Sequence, residues 1–484
     1  MNSSGSSTIR RGFIEGIVLI LGIVVAVVLL NLLAEESFIV LGLVVTALLA
    51  LAWMAFSRGA WWFPVPAAVC FGGMIFVGFK IYAYELGLLF ALFAVIPLVL
   101  IRQAGAFRHS FLPSSLVVLA GYLAARMGFD LYLGNMDGYS LGSILRVYVS
   151  GLWPLVFAIP FVFWGSTKRL AIVLWVMYIA SLIRCVLGVV GLLLPQVLPT
   201  TGFSVVLPGL YTEGIELRAS GIWLLYMALS AWSMSGRRYH WVHSLMVVFA
   251  VFCVVMGGSR GSLGVMVVLL AIWMCVERRF VMLGAISAVF LVLVVALNSS
   301  NSLIYEFPER LQRTLSILMV RSPFQDIHSM IEGSDEWHHQ LAVMAISRWK
   351  NSPWSFLFGH RLIPIPEGLD PMAQAFYDLL KNAADLGYYE AGFWTVLAVT
   401  GLVGGILYGI TLWKLARPLW GWVWRDKVRG ASTAFGFIAL SSLFLWVISG
   451  WILGHFPSEQ IVLLLIARAA YEDQKTNTVQ VDLT

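Results

Sequence analysis

Seven ionisable side chains lie inside or at the edge of apolar stretches of this sequence, and six of the seven are cationic. An ionisable group is costly within a membrane and usually has a function there. A group of cations near one membrane surface favours an anionic ligand, because guanidinium groups match phosphate oxygens through paired hydrogen bonds. The pattern predicts a site for a phosphate or pyrophosphate group. The seven residues are Lys80, Arg126, Asp130, Arg146, Arg184, Arg218 and Arg260.

Arg260 has the most distinctive surroundings of the seven. It lies in the stretch VVMGGSRGSLGVM, where glycines and serines join two apolar segments. Glycines permit sharp turns and a close approach of the backbone. We therefore predict that the Arg260 guanidinium and nearby backbone amides face the pyrophosphate. Arg218 is predicted to bind the same group, with support from Arg184 and Arg126.

Structural roles remain open for several of these charges. Lys80 and Arg146 could extend their side chains to the lipid headgroups. Arg126 and Asp130 are one helical turn apart and could simply neutralise each other. Arg218 could be an interfacial anchor at the start of an apolar segment.

The elements that must position these charges are transmembrane helices. The chain has 484 residues, of which 60% are hydrophobic and 12% are charged, and its mean hydropathy is +0.88. Apolar runs of roughly 17–25 residues recur along it, each long enough to cross a bilayer as a helix. We predict an all-α polytopic membrane protein with about 14 transmembrane helices. The first, from about residue 12, is expected to be retained, and the third is centred near residue 71.

Basic residues fall on alternate loops of this arrangement. Cytoplasmic loops carry an excess of Lys and Arg, so the N-terminus and these loops are predicted to be cytoplasmic. Arg218 and Arg260 then belong to the outer face. The net charge of +6 reflects orientation in the bilayer, and no nucleic-acid partner is expected. The basic loops include Arg10-Arg11, Lys168-Arg169, Arg237-Arg238, Arg278-Arg279 and the segment from Lys414 to Arg429.

One long segment, residues 299–390, has far more charge than the rest of the chain. It also contains apolar residues at helical spacing, and Pro353 is predicted to end that helix. The helical residues are Leu341, Met344, Ala345, Arg348 and Trp349. We predict a transmembrane bundle of about 11 helices at 1–298, a large helical outer domain at 299–390, transmembrane helices at 391–470 and a cytoplasmic tail at 471–484.

Four short motifs follow one another between residues 200 and 415. They are Arg218-Ala219-Ser220-Gly221, Ser259-Arg260-Gly261-Ser262, the stretch from Ala345 through Pro353 to Gly359, and Gly401-Leu402-Val403-Gly404. Their order, with a large outer loop before the last helices, resembles the bacterial O-antigen polymerases and O-antigen ligases, the Wzy and WaaL proteins. The resemblance implies a metal-independent glycosyltransferase of the C-type membrane fold, without a cofactor. It also implies a large periplasmic loop and an undecaprenyl-pyrophosphate-linked donor at the outer face of the bacterial inner membrane.

The resemblance also implies roles for individual residues. Arg260, by motif, and Arg218 bind the pyrophosphate, and His338 and His339 lie near the place of another arginine of the family. The ligases are implied to use a loop histidine as base about eleven residues before the first glycine of the last motif. This sequence has Glu390 there, which favours a polymerase over a ligase.

A carboxylate at the membrane edge can deprotonate an acceptor hydroxyl. We predict that Glu390 is catalytic together with Arg260, and that Tyr389 stacks on a sugar ring. A metal site at His338-His339 is not expected, because adjacent histidines on a helix point apart.

The resulting prediction is a polysaccharide polymerase that extends lipid-linked glycan, with the bilayer, a chain-length regulator and export machinery as partners. Three alternatives remain: a ligase that transfers glycan to the lipid A core, a flippase or transporter of lipid-linked oligosaccharide, and a non-catalytic assembly subunit. Fourteen spans and cations in the bundle also fit a flippase, although a flippase has little need of a large structured outer domain.

Overall fold

The fold is almost entirely helical in the part of the chain that the structure, a computed structural model, describes. These residues are 113–136, 167–196, 215–299, 303–319, 325–360, 392–449 and 457–481, with short strands at 74–76, 80–82, 200–201 and 204–205. All of them belong to one compact unit. The predictions that concern Arg146, Tyr389 and Glu390 lie outside the described residues, and Lys80 is described only in its backbone.

The described helices follow one another with short turns in the middle of the chain and longer connections elsewhere. They are α1 (Ser114–Met136), α2 (Thr167–Leu193), α3 (Leu217–Met234), α4 (His240–Met256), α5 (Arg260–Val276), α6 (Phe280–Ser299), α7 (Glu309–Leu315), α8 (Gln325–Lys350), α9 (Pro353–Phe358), α10 (Gly392–Asp426), α11 (Ala431–Ser449) and α12 (Ser458–Val481).

Five of these helices, α1, α2, α6, α10 and α11, are long and apolar enough to cross a membrane. Two more, α4 and α5, are apolar but contain only 17 residues each. These helices identify a membrane protein, as predicted from the recurring apolar runs. The total of about 14 spans stays a prediction.

The helices from α3 to α6 alternate in direction, so their turns lie at two ends of the bundle. The turn between α5 and α6 contacts the turn between α10 and α11: the backbone N–H of Val428 donates to Glu277 Oε1 at 3.1 Å. Lys427 Nζ also donates to the Glu277 carbonyl at 3.5 Å. We call this the Glu277 end, and the end where α5 begins the Arg260 end. Both contacting turns belong to the basic loops that the sequence places on one side of the membrane.

Short strands accompany the helices in two places. Strands β1 (Met74–Phe76) and β2 (Lys80–Tyr82) are antiparallel, in the region where a transmembrane helix centred near residue 71 was predicted. Both strands are rich in aromatic and β-branched side chains, which favour strands. Farther along, β3 (Thr200–Thr201), β4 (Ser204–Val205) and β5 (Ile215–Glu216) form a small sheet that leads into α3.

The last helix crosses the boundary predicted at residue 470. Because α12 continues to Val481, the predicted tail begins as an extension of that helix. Arg468 and Glu472 form an ion pair at 2.5 Å across one helical turn, which stabilises this extension.

The helix predicted in the long charged segment is confirmed. Leu341 and Ala345 of α8 are fully buried, and Ala345 packs with Ala398 and Val399 of α10 in one apolar cluster. The helix ends at Lys350. This agrees with the prediction that Pro353 ends it. Helix α9 then begins with Pro353 at its first turn, and Ser352 Oγ caps it by accepting the N–H of Ser355 at 3.0 Å.

Candidate functional site

The joint that contains Arg260 is a tight helix-to-helix connection. Helix α4 ends at Met256, and Gly258 has a φ of +69°, a left-handed conformation that favours glycine. Ser259 caps α5, because its Oγ accepts the N–H of Ser262 at 3.4 Å. Arg260 is therefore the first residue of an apolar helix, where the helix dipole and free amides favour an anion.

Arg218 and the joint are in direct backbone contact. A Cβ added to Gly257 would lie 2.6 Å from Arg218 Cβ and 2.9 Å from its Cα and N. Gly221 similarly packs on α4, where an added Cβ would lie 2.8 Å from Val254 Cγ2. Glycines at both positions bring α3 and α4 close together, and the side chains of Arg218 and Arg260 are partly exposed. The structure thus packs Arg218 against the joint that contains Arg260, the second arginine that the sequence predicts to bind the same ligand.

Arg184 lies on a helix that packs beside this contact. One turn after it, an added Cβ on Gly188 would lie 2.7 Å from Leu217 Cδ1, directly before Arg218. The neighbouring thiol of Cys185 is hydrogen-bonded to that of Cys253 in α4. Because the Arg184 side chain is only 8% exposed, its position favours a supporting charge over direct contact with a ligand.

Two further cations at this end were missed from the sequence. Helix α7 packs on α4 and α5, and the Thr314 hydroxyl donates to the Val255 carbonyl at 2.9 Å. Arg310 lies one turn before Thr314, and Arg313 is adjacent to it; both arginines are partly exposed. The sequence signal was the pair of arginines in Glu309-Arg310-Leu311-Gln312-Arg313, which resembles an ordinary solvated helix. We call Arg218, Arg260, Arg310 and Arg313 the arginine group.

Arg126 belongs to a different set of contacts. Its guanidinium lies 3.6 Å from Asp130 Oδ2 and donates to the His360 carbonyl at 3.3 Å. The two side chains are 7% and 1% exposed, so this is a buried pair. Within the described residues, these are the polar partners of Arg126, which favours the alternative that the two charges neutralise each other.

Two glycines, Gly359 and Gly401, allow the backbone at the end of α9 to pack directly against the backbone of α10. Helix α10 is interrupted at Gly401, whose φ is +66°, and Gly359 has a φ of +86°. An added Cβ at Gly401 would overlap the Leu357 carbonyl, and one at Gly359 would overlap the Val399 carbonyl. The His360 N–H donates to the Ala398 carbonyl at 2.8 Å. The last two sequence motifs therefore form one junction.

Tyr122 of α1 stabilises this junction and was also missed from the sequence. Its hydroxyl lies 3.1 Å from the Phe358 carbonyl and 2.5 Å from the Thr400 carbonyl, so one donor serves both chain segments. A tyrosine in an apolar run looks like any other buried aromatic side chain. Its partners are backbone carbonyls, which leave no mark in a sequence.

Replacing Tyr122 by phenylalanine is expected to lower the stability of the protein by about 1–3 kcal/mol, because two carbonyls beside the helix break lose their donor. The measurement is the thermal unfolding midpoint of the detergent-purified protein. Tyr132→Phe is the matched control, since Tyr132 lies on the same helix and is 66% exposed. Equal midpoints for the two variants would contradict the assigned role of the Tyr122 hydroxyl.

His338 and His339 lie on α8, which packs on α10 rather than in the arginine group. His338 is partly exposed and His339 is exposed. His338 is seven residues before the buried Ala345 and therefore shares its helix face. No group of three His, Cys, Asp or Glu side chains close enough to hold a metal ion occurs in the described part of the chain.

No protein-family model matches this sequence, and no curated protein matches it significantly. One solved chain, from a structure titled "Structural coordination of polymerization and crosslinking by a peptidoglycan synthase complex", is similar with a TM-score of 0.38 and 16% sequence identity. The match covers 74% of this chain and 97% of that chain. A likeness at this level does not establish a shared fold.

Proposed function

We propose that the protein is a polysaccharide polymerase, a glycosyltransferase that acts on lipid-linked glycan at the outer face of the bacterial inner membrane. The donor is an undecaprenyl-pyrophosphate-linked glycan, and the acceptor is a second lipid-linked glycan. The large loop between α6 and α10 is proposed to be periplasmic. This proposal rests on the motifs of the sequence and on the geometry of the Arg260 end.

The observation that carries the proposal is the backbone contact between Arg218 and Gly257 at the Arg260 end of a membrane-spanning bundle. It places two partly exposed arginines from separate motifs beside one capped helix start. The docked helix α7 adds Arg310 and Arg313 to the same end. Several guanidinium groups and free helix amides together match the charge and the oxygens of a pyrophosphate.

In the proposed reaction, an acceptor hydroxyl oxygen attacks the anomeric carbon of the donor glycan. The bond from that carbon to the pyrophosphate oxygen breaks, and undecaprenyl pyrophosphate leaves with the electron pair. The arginine group stabilises the charge that grows on the leaving pyrophosphate. Glu390 is proposed to take the hydroxyl proton, and Tyr389 to stack on a sugar ring. Arg184 is proposed to support the arginine group from the bundle interior.

The test is chain extension by the purified full-length protein in detergent, with lipid-pyrophosphate-linked repeat units as donor and acceptor. Detergent removes the difference between the two membrane faces. A flippase would therefore not lengthen the glycans in this assay. We expect Arg260→Ala to reduce the extension rate about 100-fold or more. Arg260→Lys is expected to retain part of the rate, because it keeps the charge but loses the planar fork.

Arg417→Ala is the matched control, since Arg417 is an exposed arginine on α10 and its loss changes the net charge equally. We expect this variant to extend glycans at the rate of the unchanged protein. A folded Arg260→Ala protein with an unchanged rate would overturn the proposed role of the arginine group. Transfer to lipid A core but not to a lipid-linked repeat unit would assign the ligase reaction instead.

A further inference from the structure

Helix α9 exposes its apolar side chains and buries its polar one. Trp354, Phe356 and Leu357 are 51%, 38% and 40% exposed. Ser355 is buried on the opposite face, where its Oγ lies 2.9 Å from Ser352 Oγ. A helix on a water-exposed domain has the reverse arrangement, with its apolar side chains against the core. We call Trp354, Phe356 and Leu357 the α9 face.

The contact with α10 shows how deep in the bundle α9 lies. The first charged residue of α10 is Lys414, so its uncharged part runs from Gly392 to Trp413. This part is about 33 Å long, close to the roughly 30 Å of hydrocarbon in a bilayer. The Leu357 carbonyl contacts Gly401, which lies about 13 Å along the helix from Gly392. The end of α9 is therefore well inside the uncharged part of a spanning helix.

Helix α1 places α9 at a similar depth. The apolar stretch of α1 is Ser114–Tyr132, and Tyr122 lies about 12 Å from its start, near the middle. The Tyr122 hydroxyl donates to the carbonyl of Phe358, the last residue of α9, at 3.1 Å. Two helices that are long and apolar enough to span the membrane thus place α9 beside the middle of their apolar parts.

The backbone groups at the end of α9 have protein partners in place of water. The carbonyls of Phe358 and Thr400 both accept from the Tyr122 hydroxyl, and the His360 carbonyl accepts from the Arg126 guanidinium at 3.3 Å. The His360 side chain is buried as well. Within a bilayer, irregular backbone is tolerated only where the protein itself satisfies these groups. The junction meets that requirement.

The α9 face continues the exposed apolar surface of α1. The ring of Trp354 lies 5.7 Å from that of Phe129, and Phe129 is 43% exposed. Tyr132, one turn farther along α1, is 66% exposed. Exposed side chains of a membrane-spanning helix face either lipid or another protein. The surface that α1 and α9 share is uncharged and aromatic, which suits lipid near the membrane interface.

We propose that α9 is a re-entrant helix that enters one half of the bilayer, and that the α9 face contacts lipid acyl chains. Helix α9 belongs to the loop proposed to be periplasmic, so it would enter from that side. The inference requires only that α1 and α10 span the membrane and is independent of the proposed glycosyl transfer. A glycan is the less suitable occupant, because the α9 face has no charged group to bind its hydroxyls.

The first test measures depth in the full-length protein in lipid nanodiscs, with a nitroxide spin label on Leu357→Cys. Collisions of the label with oxygen, which concentrates in hydrocarbon, are compared with collisions with a water-soluble nickel complex. We expect the label to lie about 10 Å or more inside the hydrocarbon layer. Gln340→Cys is the control, since Gln340 is exposed on α8 beside the exposed Glu336, and its label should collide mainly with nickel. The labelled unchanged protein gives the background from the native cysteines.

The second test needs no substitution, so it stands even where the labelled variants do not fold. The unchanged protein is reconstituted with a phospholipid that carries a photoreactive group in the middle of an acyl chain, illuminated and digested with trypsin. We expect cross-links on peptide 351–361, which contains the α9 face, and on peptide 109–126 of α1, but not on peptide 322–348 of α8. Cross-links on the α1 peptide alone, or equal nickel collisions at residues 357 and 340, would overturn the proposal.

Discussion

Replacing Gly401 by alanine is expected to abolish stable folding, whereas the same change at Gly409 is expected to be tolerated. Both glycines lie in α10, but Gly401 has a φ of +66° and Gly409 is an ordinary helical residue. An alanine in the left-handed region costs about 1–2 kcal/mol before any contact is considered. The two positions therefore separate the effect of the helix break from any general effect of glycine in this helix.

The contacts at Gly401 add a larger penalty. An added Cβ would overlap the carbonyl group of Leu357 and the backbone nitrogen of Phe358. These are backbone atoms, so they cannot move aside by a change of rotamer. Their displacement would also break the hydrogen bond from His360 to the Ala398 carbonyl. We expect a total loss of more than about 4 kcal/mol, in the range of exceptional single substitutions.

The measurement is the yield of monodisperse protein in detergent, followed by the thermal unfolding midpoint. At Gly409 no atom lies within 4 Å of an added Cβ, and alanine favours the helix by about 0.5–1 kcal/mol. Gly409→Ala should therefore match or exceed the midpoint of the unchanged protein. Similar midpoints for the two variants would show that the Gly401 break does not hold the junction together.

Removing one member of the buried Arg126–Asp130 pair is expected to destabilise the protein by about 3–5 kcal/mol, because the remaining charge is left buried. Arg126→Met and Asp130→Leu test the two sides. The double variant removes both charges and is expected to recover most of the loss, since replacing a buried pair by apolar groups is often neutral. Unfolding midpoints of the four proteins form a double-mutant cycle that gives the coupling between the two residues.

The double variant also decides between two roles of Arg126. The sequence predicted that Arg126 helps to bind pyrophosphate, whereas its contacts with Asp130 and the His360 carbonyl favour a structural role. We expect the folded double variant to extend glycans at an unchanged rate. A stable double variant without activity would instead support the predicted role of Arg126 in substrate binding. Additive losses of stability in the two single variants would contradict the pairing itself.

Features set by local sequence could be predicted. A membrane-spanning helix requires a long apolar run, which can be recognised in the amino-acid sequence. The turn at Arg260 could also be predicted, because glycines and serines between two apolar segments indicate a sharp turn. The helix over Leu341 to Trp349 and its end before Pro353 follow from spacing and from proline chemistry in the same way.

Features set by distant contacts could not be predicted. The break at Gly401 depends on backbone atoms of residues 357–360, about forty positions earlier in the chain. The Tyr122 hydroxyl donates to backbone carbonyls, and Arg126 donates to one in addition to its pairing with Asp130; every residue carries such a carbonyl. The strands at 74–76 and 80–82 lie where a helix centred near residue 71 was predicted, because apolar, β-branched and aromatic residues suit both a short strand pair and a membrane span.

The lengths of α4 and α5 have a consequence for the surrounding bilayer. Each helix has 17 residues and therefore rises about 26 Å, less than the roughly 30 Å of hydrocarbon in a typical bilayer. A hydrophobic stretch shorter than the hydrocarbon layer is matched by local thinning of the bilayer. Under the proposed function, such thinning would bring the joint at Gly257–Arg260 to the depth of the lipid phosphates, where the pyrophosphate of the proposed polyprenyl donor would reach Arg260 while its chain stays in the membrane.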